Sequence, residues 1–411
     1  MSSSAVAHDR SAWRPAGLIV AAGVCAALHV AKLPPSVPVL QQSLSITLLQ
    51  AGFLLSILQA AGMLLGVAIG ALADGFGARR SMLAGLCILA AASAAGGWAQ
   101  GLPLLMLLRG LEGLGFLLVV LPGPGWLRQL TPAARLNGVL GFWSAYMPLA
   151  TALALGVGPL VNAAWGWPVL WWGLALLTAL MALALARGTA PVRSSPGGAT
   201  TGRWRALAQR LAHTLSAPAP WLVAAVFALY AFQWLAVIGF LPTLVLQAGF
   251  SAAATGALTA LVAAANIAGN LGAGRWLQRG VKPGRLMAIG LLAMAAGAAA
   301  LFAGTEPGSA WPVAARLAGA LVFSACGGFV PLTLFTLALR AAPSAQTVAT
   351  TQGWVQQGSA LGQFCGPPAV AAVAAAVGGW QWSAAVTGSA AALALLLVPA
   401  LLRVLGPTPA R

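Results

Sequence analysis

Twelve runs of apolar residues, each about 20 long and parted by short polar breaks, constrain this chain more than any motif in it. A helix of that length matches the hydrocarbon thickness of a bilayer, so each run reads as a membrane span. Composition agrees. Hydrophobic residues make up 60% of the chain and charged residues 6%, against roughly 25% charged in a soluble domain. Twelve spans would use about 240 residues of the 411, which leaves no room for a sizeable soluble domain. The sequence therefore predicts an all-α polytopic membrane protein. Spans are expected at roughly 15–37, 47–73, 81–99, 103–127, 135–161 and 167–187 in the first half. In the second they are expected at roughly 219–243, 254–277, 285–304, 311–339, 346–370 and 381–404.

A net charge of +17 would suggest nucleic acid if the chain were soluble, but the placement of the charges says otherwise. Arg10, Arg14, Arg79, Arg80, Arg128, Arg135, Arg187, Arg193, Arg203, Arg205 and Arg210 fall on one side of a chain that crosses twelve times. So do Arg275, Arg279, Lys282, Arg285, Arg340, Arg403 and Arg411, while the opposite loops hold no Lys or Arg. This positive-inside pattern puts both termini in the cytoplasm, and the lack of a basic stripe interleaved with aromatics argues against a nucleic-acid partner.

The domain layout follows. Residues 1–14 are a cytoplasmic tail, 15–187 a six-helix bundle, 188–218 a cytoplasmic central loop, 219–404 a second six-helix bundle and 405–411 a cytoplasmic tail. The central loop opens flexibly at Ser194-Ser195-Pro196-Gly197-Gly198 and continues into a basic surface helix around Arg203, Arg205 and Arg210. Cys25, Cys87, Cys326 and Cys365 lie in apolar runs without ligand-like spacing and read as small buried hydrophobes. Trp165, Trp167, Trp171, Trp172, Trp380 and Trp382 open the sixth and twelfth spans and read as an interfacial belt rather than as substrate contacts.

The two halves echo each other. Arg109 stands early in the fourth span and Arg316 early in the tenth; Gly158-Pro159 ends the fifth and Gly366-Pro367 the eleventh; Gly166-Trp167 opens the sixth and Gly379-Trp380 the twelfth. Such a repeat implies a pseudo-two-fold axis along the membrane normal. Between the second and third spans the chain reads Gly70-Ala-Leu-Ala-Asp74-Gly75-Phe-Gly77-Ala-Arg79-Arg80. This segment resembles the cytoplasmic signature of the major facilitator superfamily and departs from it only at Gly75, where a base is usual. Arg109, Gly113 and Gly115 are similar to the family's fourth-helix pattern. The Pro-rich end of the first span resembles bacterial anion porters of the cyanate-porter type. The resemblance covers essentially the whole chain and implies a transporter of twelve helices in two pseudo-symmetric bundles. It also implies that Gly70, Asp74, Gly77, Arg79 and Arg80 form a cytoplasmic gate; topology alone is the alternative reading of the two arginines.

A charge at mid-bilayer costs roughly 2.5–3.5 kcal/mol on insertion scales, so each one needs a reason. His29 and Lys32 share one face of the first helix, and Arg109 and Glu112 share one face of the fourth. Arg316 begins the tenth. All five lie in the half of the membrane away from the basic loops, and the family resemblance implies that they surround one central site. Glu112 is the one acid deep in a span, and burial and nearby cations pull its proton affinity in opposite directions. It is a candidate proton-coupling group, or else one half of a structural ion pair with Arg109. His29 is either a second proton carrier or a satisfied interior histidine. Three bases against one acid predict an anionic substrate, with Arg109 and Arg316 favoured over Lys32 for bidentate carboxylate binding. Tyr146, Tyr230, Gln233, Asn266 and Gln356 add polar candidates, as do Asn270, Gln352 and Gln357, with interhelical hydrogen bonding as the alternative for all of them.

Small residues at Ala150, Ala154 and Gly158, and at Gly358, Gly362 and Gly366, predict close helix packing, and Pro159 and Pro367 permit bends. The fifth-span version is partly similar to the antiporter signature of superfamily drug exporters, without its first glycine and terminal pair. Proton-linked transport of a small anionic organic compound leads as the functional reading. Proton-driven efflux of a metabolite, siderophore or drug is second, and a membrane sensor or channel is third. No metal cluster, nucleophile–base pair or phosphate loop appears, so no enzyme activity and no cofactor are expected. The expected partners are a small-molecule substrate, protons and the lipid bilayer, with the chain acting as a monomer. Arginine outnumbers lysine 19 to 2, a usage that suggests a GC-rich bacterium and hence its inner membrane.

Overall fold

The computed structural model describes residues 3–132, 139, 142–143, 145–190, 200–305, 309 and 311–406, without the side chains of 3–14, 69–76, 200–204, 345 and 349. All regular structure among the described residues is helical. Twelve helices are long and apolar enough to cross a membrane. The first six are α1 (Pro15–Ser43), α2 (Leu48–Ala68), α3 (Ala78–Gly96), α4 (Leu102–Leu130), α5 (Tyr146–Trp165) and α6 (Trp167–Gly188). The second six are α7 (Pro218–Gln247), α8 (Ala252–Gln278), α9 (Pro283–Phe302), α10 (Val313–Ala341), α11 (Thr350–Val377) and α12 (Ser383–Leu405). Helices satisfy every backbone hydrogen bond internally, which is the condition for crossing lipid. The expected basic helix of the central loop is Thr200–Leu215. The loop's opening at 191–199, with Arg193, and the loop residue Arg135 lie outside the described residues.

Helix ends follow local chemistry. Thr47 and Gln50 form a reciprocal capping box before α2, and the Ser251 side chain accepts from Ala254 N–H before α8. Proline fills the first turn of α4, α6, α7 and α9, where no N–H is needed. Gly166 joins α5 to α6 alone, with φ of 81°, a backbone that only glycine adopts without strain.

The repeat read from the sequence is visible in the packing. A Cβ on Gly85 of α3 would lie 2.5 Å from the Gly115 carbonyl of α4, and one on Gly297 of α9 would lie 2.5 Å from the Gly319 carbonyl of α10. The same pair of backbones thus meets without side chains in each half. Between halves, α5 meets α8 where Gly256 faces the Gly156 carbonyl, and α2 runs along α11. Gln59 donates to Gln363 across that second seam at 2.9 Å, and Gln357 donates to the Met63 carbonyl at 3.1 Å. At the face without basic loops, Leu33, Val37 and Leu40 of α1 share one apolar core with Leu241 and Leu244 of α7. A second apolar core belongs to the first bundle alone.

Three expectations need correction. Cys87 and Cys365 are exposed rather than buried, because the outer surface of a membrane helix meets lipid and a thiol is at home there. Trp165 and Trp382 are exposed as a belt requires, at 69% and 59%, but Trp167, Trp171 and Trp380 are buried. Their indole N–H groups and rings serve the interior: Trp167 donates to Ser43 and Trp380 to Gln247. The eleventh helix runs past 370 to Val377, straight through Pro367 and Pro368.

Candidate functional site

Four charged or titratable side chains meet inside the first bundle. Helical spacing of three puts His29 and Lys32 on one face of α1, and the same spacing puts Arg109 and Glu112 on one face of α4. All four are sealed from solvent, none more than 1% exposed. Glu112 is the hub. Its Oε1 lies 2.5 Å from Lys32 Nζ and 3.4 Å from His29 Nδ1, and its Oε2 lies 2.5 Å from Arg109 Nη1. The walls come from α3 and α6. Lys32 donates to Ser93 Oγ at 2.8 Å, and the Ser93 hydroxyl in turn donates to the Trp171 carbonyl at 2.9 Å. The Lys32 ammonium also sits 4.4 Å from the centre of the Trp171 ring, a desolvated cation–π contact.

Hydrogen bonding assigns the proton on His29. Thr178 Oγ1 donates to the Leu174 carbonyl at 2.7 Å, so it must accept from His29 Nε2, also at 2.7 Å. Nε2 then carries the hydrogen and Nδ1 presents a lone pair toward Lys32 and Glu112. A proton arriving at Nδ1 would be donated to Glu112. Arg109 is under-used. Its Nη1 donates to the His29 carbonyl and to Glu112, while Nε and Nη2 are buried without a partner among the described residues. With His29 neutral, two cations face one carboxylate, and part of one guanidinium has nothing to bond.

The cluster differs from expectation in its setting. Contacts with Ser93, Trp171 and Thr178 enclose it within the first bundle instead of opening it between the bundles. Arg316 does not join it. Arg316 Nε donates to the Leu301 carbonyl at 3.2 Å, and the side chain stands half-buried among Leu244, Phe250 and Leu317 at the ends of α7, α9 and α10. The bases thus do not surround one central site, because the two halves carry their early arginines in separate bundles.

The uncharged candidates also divide. Tyr146 packs against Trp143, with ring centres 5.1 Å apart, away from the cluster. In the second bundle Tyr230 stacks on Phe227, and Asn266 donates to the Ser324 carbonyl, tying α8 to α10. Asn270 donates to Asn266 and Gln352 to the Phe335 carbonyl. Gln233 is buried with its Oε1 unpartnered, and Gln356 is half-buried on α11.

Of the gate residues, Gly77 takes a φ of 91° just before α3. Arg79 donates to the Thr189 and Ala186 carbonyls, capping the C-terminus of α6, and Arg80 is exposed. Gly70 lies on a helix that continues to Phe76, but the side chain of Asp74 is outside the described ones. On the small-residue faces, Gly158 meets Pro35, with Pro159 beside it in α5, and Gly366 meets the Phe232 carbonyl, with Pro367 O facing Gly52. Ser93, Trp171 and Thr178 were missed by sequence reasoning. Ser93 and Thr178 each carried a signal, as a hydroxyl inside an otherwise apolar stretch of a span.

Comparison with known proteins gives the same picture of the fold. The profile described as Major Facilitator Superfamily matches residues 19–351. A tetracenomycin C resistance and export protein of Streptomyces glaucescens is 31% identical over 193 residues, 43% of this chain and 35% of that protein. The chain therefore aligns with about a third of that relative's length. Among solved structures, a D-xylose–proton symporter superposes with a TM-score of 0.73 at 19% identity, covering 94% of this chain and 97% of that one. A bacterial homolog of the human lysosomal transporter Spinster, inward-facing and occupied, superposes with a TM-score of 0.75 at 15% identity, covering 96% and 98%. At such identities the likeness is one of fold.

Proposed function

The chain belongs to the Major Facilitator Superfamily, and from that premise we propose that it is a proton-coupled secondary transporter of a small anionic organic compound. It works by alternating access across the bacterial inner membrane, with both termini cytoplasmic. Residues 15–187 and 219–404 act as the two rocking bodies, and 188–218 is the cytoplasmic link between them. The observation that carries the reading is the sealed group of His29, Lys32 and Arg109 on the single carboxylate of Glu112.

With Glu112 ionised, its two oxygens tie Lys32 of α1 to Arg109 of α4. A proton passed to Glu112, with His29 Nδ1 as the receiving atom beside it, removes the charge that both cations face. Two buried cations without a counter-ion cost several kcal/mol. Movement of α1 against α4 that admits an anion relieves that cost, which links proton arrival to substrate binding. The unpartnered Nε and Nη2 of Arg109 are the donors left for a carboxylate. In this reading Gln233, Tyr230, Asn266 and Gln356 add polar contacts from the second bundle only once α1 has parted from α4 and the anion faces the seam, and Arg79 braces the cytoplasmic gate against α6.

Efflux is the second reading, supported by the partial likeness to an export protein. Purified protein in liposomes, screened against organic anions and drugs with the pH gradient set in each direction, tests both. Anion flux driven by the gradient, lost in Glu112→Gln, is the expected result. Gradient-driven flux that persists in Glu112→Gln would remove Glu112 from the coupling. Movement of uncharged or cationic compounds alone would remove the anionic substrate.

A further inference from the structure

A groove of about 460 Å³ runs along the outside of the first bundle between α1, α5 and α6. Its lining includes Gly17, Val24, Cys25, Phe142, Leu149 and Met181, and every described lining residue belongs to the first bundle. It therefore opens away from the seam between the bundles, toward lipid; Phe142 at its lip is 66% exposed. Along α1 the lining extends from Ala16 to Leu28, about 18 Å at 1.5 Å per residue. That is close to the thickness of one leaflet's hydrocarbon, roughly 15 Å, and it lies in the leaflet on the arginine-rich side.

Two features make this more than an apolar dent. At the groove's basic end, Leu18 beside Gly17 packs on Gly188. Arg187, the residue before Gly188, is exposed, and Arg14 precedes the first lining residue by two positions, so two arginines belong to this end of the groove's helices. At its floor, Cys25 Sγ lies 3.3 Å from Thr178 Oγ1, the same hydroxyl that accepts from His29. A chain lying in the groove would rest against the back of the charged cluster. We propose that the groove binds one acyl chain of an anionic phospholipid from the arginine-rich leaflet, with the phosphate at Arg187. Length, lateral opening and the positive mouth all fit that one occupant.

The test uses the full chain in nanodiscs containing a phosphatidylglycerol with a photoactivatable acyl chain, with labelled peptides mapped by mass spectrometry. Label concentrated on α1 between Ala16 and Leu28 and on α6 around Leu177 and Met181 is expected. Ala21→Trp, which fills the groove, should reduce it at least fivefold. Val24→Phe serves as a second filling variant, each checked for a monodisperse elution profile. Arg187→Gln should erase the preference over the phosphatidylcholine analogue while leaving the acyl contact. Label spread over all lipid-facing helices in proportion to exposed area would overturn the proposal. Equal labelling by the two lipids in the unmodified protein, or displacement of the label by a transported substrate instead of by lipid, would overturn it as well. None of these readouts depends on whether the transported compound is anionic, so the two proposals fail separately.

Discussion

Lys32 Nζ stands 2.5 Å from Glu112 Oε1, with both side chains closed off from solvent inside the first bundle. An ion pair in that position is held by its neighbours as much as by its own attraction. Arg109 takes the other carboxylate oxygen, Ser93 Oγ accepts a hydrogen bond from the lysine ammonium, and Trp171 supplies its ring. Taking two such charges from water is expensive, and removing one partner leaves the others without compensation. Glu112→Gln is therefore expected to destabilise the protein by about 3–5 kcal/mol, read as a lower unfolding midpoint in detergent. Glu112→Gln with Lys32→Met removes one charge of each sign and should recover much of that loss. A double variant no more stable than the single one would show that the pair is not what holds these helices.

The His29 assignment gives a separate outcome. His29→Gln can still donate an amide hydrogen toward Thr178, but it offers no basic nitrogen to a proton at the Nδ1 position. Stability should change little, while the pH dependence of flux flattens in liposomes. Thr178→Val is the control, because it removes the acceptor and leaves a buried N–H unpaired, at about 1–3 kcal/mol. An unchanged pH profile in His29→Gln would assign His29 to the fold and leave proton transfer to Glu112 alone.

Arginine position now separates two variants that the sequence treated alike. Arg109 is buried, bonded to Glu112 through Nη1, with Nε and Nη2 lacking a partner among the described residues, whereas Arg316 is half-buried and bonded to one backbone carbonyl at a helix end. Arg109→Gln is expected to abolish anion transport. Arg316→Gln should cost about 1 kcal/mol of stability, the worth of one hydrogen bond, and leave substrate affinity within threefold. Equilibrium binding of the transported anion checks both, and comparable losses would return Arg316 to the binding set.

Span count and pairing of the halves were legible because they rest on signals that need no third dimension: run length, loop charge and repeated Gly-Pro and Gly-Trp pairs. His29 with Lys32 and Arg109 with Glu112 were legible too, since a spacing of three fixes a shared helical face. What the spacing leaves open is which way that face points. Ser93 and Thr178 show the answer, turning the charges toward α3 and α6 and away from Arg316. Trp171 was hidden for a related reason. Four tryptophans within eight residues look like a belt, yet Trp165 ends α5 exposed, whereas Trp171 lies on α6 and is turned under Lys32.

The seam between the bundles supplies the last test. Gln59 of α2 donates to Gln363 of α11 at 2.9 Å, one of the polar links across the halves, beside small residues that let the backbones approach. Alternating access requires the two bundles to rotate against each other, so this contact must shear or hinge during the cycle. Replacing both glutamines with cysteine, in a background with Cys25, Cys87, Cys326 and Cys365 changed to serine or alanine, allows a cross-link at that point. Oxidation is expected to stop transport, and reduction should restore it. Substrate binding from one side should survive in the locked form, because the Glu112 cluster lies inside the first bundle and not on the seam. Full transport with the cross-link in place would mean that the bundles do not move at Gln59, and the rocking would then have to pivot about that very contact.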